Sequence, residues 1–379
     1  MHLYPSPLTH EMRMEKIARS IFEFGHFSRI ELIGIQAAGL PVLEAKESFV
    51  VCRVSRRHFG GPRFARKLVQ TIDWTWQVFQ RLRKVDVRCV NSHSLAVLPL
   101  GVLLKVWHKS RLVYDTHEFE TEVSTARGIT RWVYKALERL FIGRADAVVV
   151  VGDFIADWYA NRYGIERPLV VRNVPSLSAD GPPKADPTLW RSKFGIPDAH
   201  VIFIYQGGLF QGRRIEQFLR VFARSKDDRH ILFMGYGELE GRVREMAAQH
   251  NNIHFAPAVS PSQVLRHTAG ADVGLVGVEN ACLSYYYSLP NKLFEFISAG
   301  IPSLMPKFPE MMRLAKGAGF GWGVGELDED WLAAVNELSQ ARIEEGKRAA
   351  CGAASSLSWQ NETAKLQDLY SQPVGVGST

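Results

Sequence analysis

Three stretches of the chain combine residue types that do chemistry with the spacing to do it. In SLPNKLFEFISAGIP, at Ser288–Pro302, a loop ending in Pro290-Asn291 opens directly into a short helix that stops at a glycine. Pro and Asn suit the non-helical entry and the cap of such a start, so the first free N–H groups of the Lys292–Ser298 helix are offered to an anion. Glu295, one turn in, is within reach of a hydroxyl beside that anion, as an acidic residue grips a ribose in other nucleotide sites. The same stretch also reads as an ordinary amphipathic helix with Leu293, Phe294 and Ile297 in the core. In YQGGLFQGRRIEQF, at Tyr205–Phe218, Gly207, Gly208 and Gly212 permit close backbone approach while Arg213 supplies a fixed charge, a combination that suits phosphate. YDTHEFETE, at Tyr114–Glu122, sets His117 and Glu118 just past an apolar run, and His93 occupies the same place after an earlier one.

The elements that must position these residues follow from the hydrophobic pattern. Val87–Ser92 and Arg111–Asp115 read as strands ending at His93 and His117, with a helix over Leu95–Lys105 between them. Ligands of open parallel sheets collect outside the carboxyl ends of strands, which gives both histidines a physical reason to be functional; for His93, with no second feature near it, a structural role reads equally well. Before them come a short apolar piece at Met1–Pro7, a helix with Met14, Ile17, Ala18, Ile21 and Phe22 at helical spacing, and a strand over Ile30–Ile35. After them come helices over Ile129–Phe141 and Asp153–Tyr163 flanking the apolar run RADAVVVVG, then a strand over Pro168–Asn173. The proline-rich SLSADGPPKADP has linker composition, and a second strand and helix alternation begins at His200. The fold class is therefore α/β, with two parallel-sheet halves. The expected domains are 1–175, 176–355, and a closing segment 356–379 that carries Trp359 and a Gly/Ser tail.

PNKLFEFISAGIP resembles the donor-binding helix of the retaining glycosyltransferases of family 4, which have the GT-B fold of two Rossmann-like domains facing across a cleft. YDTHEFETE resembles the strand-end motif whose histidine approaches the donor sugar and its phosphate. YQGGLFQGRRIEQF resembles the loop whose basic residue binds the donor diphosphate, with Arg213 matching and Arg214 standing where glycine is common. The resemblance implies a first, acceptor-side domain and a second, nucleotide-sugar domain. Catalytic roles fall to His117 and Arg213, and donor contacts to Gly207, Gly208, Arg213, Asn291, Lys292, Leu293 and Glu295. His93, Glu118 and Tyr287 are candidate sugar or acceptor contacts. It implies a front-face mechanism with no general base, no cofactor and no metal, and a glycan or lipid-linked acceptor. One departure stands out: the glutamate commonly found eight positions before Glu295 is replaced by Tyr287. A non-hydrolysing sugar-nucleotide epimerase and a catalytically silent nucleotide-sugar-binding protein are the alternatives.

Composition narrows the rest. At 379 residues, 46% apolar and 22% charged, the chain is too long for one core and has the make-up of a soluble protein. Its longest apolar runs are short of the roughly 20 residues needed to span a bilayer, no export signal is evident, and four scattered cysteines read as reduced cytoplasmic thiols. The net charge of +7 is concentrated in Arg53–Arg88, where ten Lys or Arg face two acids. A helix expected over Pro62–Lys84 places Phe64, Leu68, Ile72, Phe79 and Leu82 on one face, flanked by Trp74 and Trp76. That segment reads either as a solvated domain helix or as a patch for an anionic membrane surface, making the protein peripheral on the inner face. No nucleic-acid motif accompanies it. GYGELEG at Gly235–Gly241 is not a dinucleotide fingerprint, because its third glycine comes one position late, and it reads instead as a strand-to-helix turn beside a nucleobase. Asp328-Glu329-Asp330 directly precedes a helix, where acids are expected without a metal.

Overall fold

The computed structural model describes residues 1–371 apart from 10, 58, 125, 127, 178–182 and 184–185, and of residues 63–65, 67 and 68 the backbone alone. Its contacts divide the chain into two compact units, Met1–Arg172 with Thr363–Thr379, and Asn173–Glu362. The division thus falls at 172 and 362 instead of 175 and 355. Trp359, whose N–H is donated to Pro175 O, stays with the second unit.

In the first unit the elements run β1 (His2–Leu3), α1 (Met12–Glu23), β2 (Glu31–Ile35), β3 (Leu43–Ala45), β4 (Val50–Val54), α2 (Arg63–Leu82), β5 (Cys89–Ser92), α3 (Leu98–His108), β6 (Arg111–Asp115), α4 (Gly128–Phe141), β7 (Ala147–Val150), α5 (Asp153–Tyr163) and β8 (Leu169–Val170). The sheet order is β3-β4-β2-β1-β5-β6-β7-β8, parallel throughout except for β3 against β4. The apolar start of the chain is a strand of only two residues, yet it lies mid-sheet, His2 opposite Leu32 on one side and Asn91 on the other. From β1 the chain crosses to β2 in one direction, and from β4 onward it crosses in the other. Right-handed crossovers therefore put α1 on one face and α2 to α5 on the opposite face, with the reversal at β1 and β5. Such a switch point opens a crevice at the carboxyl ends of the strands.

α2 forms where periodicity predicts it but turns a different side inward. Trp74, Val78, Phe79 and Leu82 are buried, and Trp74 Nε1 donates to Gly34 O at 3.4 Å. Ile72 and Trp76 are 60% and 57% exposed, and the side chains of Phe64 and Leu68 lie outside the described ones. Arg53 is also inside: on β4 its guanidinium donates to Pro7 O, Pro41 O and Glu44. The segment Arg53–Arg88 is therefore not one outward patch beside Trp74.

The second unit contains α6 (Thr188–Phe194), β9 (Val201–Gly208), α7 (Ile215–Phe222), β10 (Arg229–Tyr236), α8 (Glu240–Gln249), β11 (Ile253–Pro257), α9 (Val264–Thr268), β12 (Val273–Leu275), α10 (Leu283–Tyr286), α11 (Asn291–Ser298), β13 (Ser303–Pro306), α12 (Pro309–Lys316), β14 (Gly321–Val324), α13 (Asp328–Glu337) and α14 (Gln340–Ala354). Its all-parallel sheet has the order β11-β10-β9-β12-β13-β14, so its reversal lies between β9 and β12. Phe203, Tyr205, Phe218, Phe233 and Trp331 build one core there. A final helix, α15 (Trp359–Ser371), ends in the first unit, where Lys365 donates to Val170 O and Tyr370 bonds Asn91.

Candidate functional site

Each switch point holds some of the residues named from sequence: His93 and His117 in the first unit, Arg213, Lys292 and Glu295 in the second. At β1 and β5 the side chains that meet are those at three strand ends. His93 Nδ1 lies 3.1 Å from both Asp115 Oδ2 and His117 Nε2, and its other nitrogen lies 2.8 Å from His2 Nδ1. Arg13, reaching from α1, clamps both oxygens of Asp115 at 2.7 and 3.2 Å and donates to Val171 O. Tyr4 packs its ring 5.3 Å from that of His117. Burial pushes the Asp115 carboxyl up, but Arg13 and the two imidazoles more than offset it, and the group stays ionised well below the usual range. Burial lowers His93 to about 4 despite Asp115, so it is neutral. A neutral His93 beside an ionised Asp115 carries its proton on Nδ1 and accepts from His2 at Nε2, which assigns the tautomers along the chain. His93 is thus a fully buried connector, while His117 retains some exposure and Glu118 is exposed.

His93, Asp115 and His117 have metal-compatible spacing, their nearest ligand atoms lying within 4.8 Å of one another. Asp115 is already neutralised by a bidentate guanidinium, and a divalent ion would sit against that charge. The donor set therefore fits a hydrogen-bonded cluster better than a metal centre.

The second unit brings Gly207, Gly208, Arg213, Lys292 and Glu295 together at the ends of β9 and α11. Gly207 has φ +108°, and a Cβ there would meet Lys292 Cε and Nζ at 2.8 Å, so only glycine lets the lysine stem lie along this backbone. Lys292 Nζ lies 5.9 Å from the Tyr205 ring centroid and Arg213 Cζ 5.2 Å from that of Tyr285. Burial lowers the Lys292 pKa; Glu295 opposes the shift and the nearby Arg213 adds to it. Among the described residues no carboxylate lies within ion-pair distance of either cation. Glu295 is held by Gln206 Nε2 at 2.6 Å, and Gln206 in turn bonds Thr268 on α9.

The start of α11 differs from the sequence reading in two respects. Pro290, not Asn291, occupies the cap position, and no side chain caps the helix; Asn291 Oδ1 instead accepts from Asn173 at 3.1 Å. Leu293 is wholly buried and its N–H is donated to Pro290 O, so its side chain offers nothing to a ligand. Tyr287 closes α10, half-buried, with its ring 4.9 Å from Tyr286. Arg214 sits at φ +55°, the left-handed region where glycine is at ease. Its guanidinium donates to Val278 O, Gln217 and Glu326, bonds that offset a backbone cost of about 1 kcal/mol. A neighbouring cavity of about 620 Å³ is lined by Arg214, Arg220, Glu279 and Glu326. Its arginines are already paired, with Glu326 and Asp328, so the charge left for an anion lies at the half-buried Arg213 and Lys292 instead. Asp328 and Asp330 serve an ion pair with Arg220 and the backbone N–H of Leu327.

Asp115, Arg13, His2 and Gln206 are the residues that sequence reasoning missed. Only Asp115, two positions before His117, carried a local signal.

Residues 13–174 match the family model described as the glycosyl transferase 4-like domain. Solved structures align over nearly the whole chain. Sucrose-phosphate synthase from Thermosynechococcus elongatus is 14% identical, with 98% of each chain covered and a TM-score of 0.76. The fold is GT-B. Anabaena HepE in complex with UDP superposes at TM-score 0.70 with 13% identity over 98% of each chain. WaaG, a glycosyltransferase involved in lipopolysaccharide biosynthesis, does so at 0.67 with 15% identity over 97% of each. No curated protein sequence matches. This GT-B chain therefore stands among known glycosyltransferase structures at identities that speak for fold alone.

Proposed function

We propose that the protein is a retaining glycosyltransferase that moves a hexosyl or N-acetylhexosaminyl group from a nucleotide-diphosphate sugar to a glycan or lipid-linked acceptor, in surface polysaccharide biosynthesis on the cytoplasmic side of a membrane. The observation that carries this reading is the pair of cations at the β9 switch point, Arg213 and Lys292, with no carboxylate among the described residues within ion-pair distance, beside a helix end that no side chain caps. Two such cations and a helix N-terminus suit a diphosphate, and Glu295, held one turn further on, suits a ribose hydroxyl. As the sugar bond breaks, negative charge grows on the departing diphosphate. Donors already fixed in place stabilise that charge without reorganising, so the reading requires no metal. The exposed Tyr236, edge-on to Phe210 at 6.2 Å, lies on the turn we assign to the nucleobase side. In the first unit His117 would meet the sugar, its ring oriented by His93 and Asp115. The complexes of HepE with UDP and with UDP-glucose support a nucleotide diphosphate as the ligand class.

Tyr287 in place of a carboxylate favours one rival, a silent nucleotide-sugar binder. Thermal-shift screening of nucleotide sugars, followed by product analysis with and without acceptor, separates the readings. Stabilisation with transfer supports the proposal; stabilisation with no transfer to any acceptor favours the binder; a changed donor without acceptor marks an epimerase. No stabilisation by any nucleotide would sink all three.

A further inference from the structure

One face of the first unit is used by none of this chemistry. α3 packs against both α2 and α4, so the three helices form one layer, and each turns apolar side chains outward: Ile72 and Trp76, Val106 and Trp107, Ile129 and Trp132. The three tryptophans are 57%, 55% and 70% exposed. Phe79, buried beneath them, touches both, its ring 5.9 Å from Trp76 and 5.6 Å from Trp107, which sets the exposed tryptophans of α2 and α3 side by side. An exposed apolar surface of this extent marks an interaction site.

Charge says what occupies it. All three helices precede parallel strands and run in the same sense, so their C-terminal ends share one edge. Arg81, Arg83, Lys84, Lys109, Arg139 and Arg144 are exposed along that edge. Of the nearby carboxylates, Glu122 takes Arg131 and Lys135, Glu138 takes three tyrosines and Asp146 takes Lys105, so Asp86 is the exposed acid set against these six cations. We propose that this face docks on an anionic lipid bilayer, with the tryptophans at the boundary of headgroups and acyl chains and the basic edge against the headgroups. A second copy of the chain, meeting the same patch about a two-fold axis, would bring like charge against like charge. A bilayer offers apolar depth and negative charge together. No described helix is long and apolar enough to cross a membrane, so the attachment is to its surface. The inference is independent of the proposed donor chemistry, since it involves neither Arg213 nor the histidine cluster.

The test is co-sedimentation with vesicles of equal parts phosphatidylglycerol and phosphatidylcholine, against vesicles of phosphatidylcholine alone. Wild type should bind the anionic vesicles about tenfold or more tightly than the neutral ones, and binding should fall with salt. Trp76→Ser/Trp132→Ser should lose about tenfold in partitioning, and Arg83→Glu/Lys84→Glu/Arg139→Glu should lose the preference for anionic lipid. All these side chains are exposed, and an unchanged circular dichroism spectrum checks the fold. Independently of any variant, brominated lipid should quench the tryptophan fluorescence of wild type. The proposal is overturned by equal binding of wild type and the tryptophan variant, by indifference to lipid charge, or by absence of quenching. It is also overturned by lipid-free dimerisation that the tryptophan variant abolishes, which would make a second copy the occupant.

Discussion

Among the described residues no carboxylate lies within ion-pair distance of Arg213 or Lys292, and burial weighs on the lysine although Glu295 opposes it. Such a site is strained until its anion arrives. Lys292→Met should therefore raise the melting temperature of the ligand-free protein, by an amount corresponding to about 1 kcal/mol, while weakening UDP binding. Thermal scans with and without UDP check both halves, and a variant that is less stable in both states would contradict the assignment. Arg213→Ala should lower turnover more than donor affinity, because its bond to the leaving group strengthens in the transition state. Glu295→Gln should instead weaken donor binding by roughly 1.5–3 kcal/mol with turnover nearly unchanged, since a hydroxyl far from the breaking bond is held alike throughout. kcat and KM for the two variants, measured side by side, decide whether those roles are correctly apportioned.

At the scale of elements, α4 is tied into the first unit by one buried acid. Glu138 accepts from Tyr114 at 2.9 Å, Tyr159 at 2.8 Å and Tyr163 at 2.6 Å, drawing together β6, α4 and α5. Burial raises its pKa although the three hydroxyls oppose the shift. Glu138→Leu keeps the apolar bulk but strands those hydroxyls, at a cost of about 3 kcal/mol or more. Urea unfolding should show the loss, and Glu138→Gln, which preserves acceptor capacity, should recover part of it. Because β6 ends at Asp115, a leucine at 138 should also impair turnover through the histidine cluster. Unaltered stability would mean that the tyrosines find water instead.

At the scale of the whole molecule, two separate cores imply separable ligand responses. UDP alone should slow hydrogen exchange around residues 206–214 and 288–298 while leaving residues 89–118 unchanged; protection confined to the histidine cluster would reverse the assignment of the units. Acid sensitivity should come from a ladder across the second sheet, where His200 Nδ1 lies 2.9 Å from His230 Nε2, and His230 Nδ1 lies 3.0 Å from His254 Nε2. Burial, then His200 and Arg191, lower His230 to about 4 against the pull of Asp228; burial and His230 lower His254 to about 4. Since the unfolded chain binds these protons near pH 6.5 and the folded one near 4, the stability they confer is present above 6.5 and lost as pH falls toward 4. The loss should be on the order of 2 kcal/mol for each histidine. His230→Gln should flatten that part of the pH profile, and denaturation midpoints at pH 7.5 and 5 would reveal an unaltered slope if the ladder were irrelevant.

How much of this was legible depends on the range of the interactions involved. The α/β alternation, the helix over Asp153–Tyr163 and the positions of His93 and His117 at strand ends are local pattern, and the chain carried them in its own order. So is the need for glycine at 207, where φ is +108° and a Cβ would meet the Lys292 side chain. The face that α2 buries was not legible. Periodicity grouped Ile72 with Phe79, whereas the space beside Gly34 takes Trp74 and turns Ile72 and Trp76 to solvent. Nor was the partner of Arg53, spent on Pro7, Pro41 and Glu44 within the sheet although its charge counted toward a surface patch. Arg13 lies 102 positions from the Asp115 it clamps, and Lys292 reaches back to Gly207. Sequence could supply the chemistry of each of these side chains; which carboxylates are neutralised and which cations stand without partners depends on parallel strands bringing distant segments to one edge, and only the folded sheet does that.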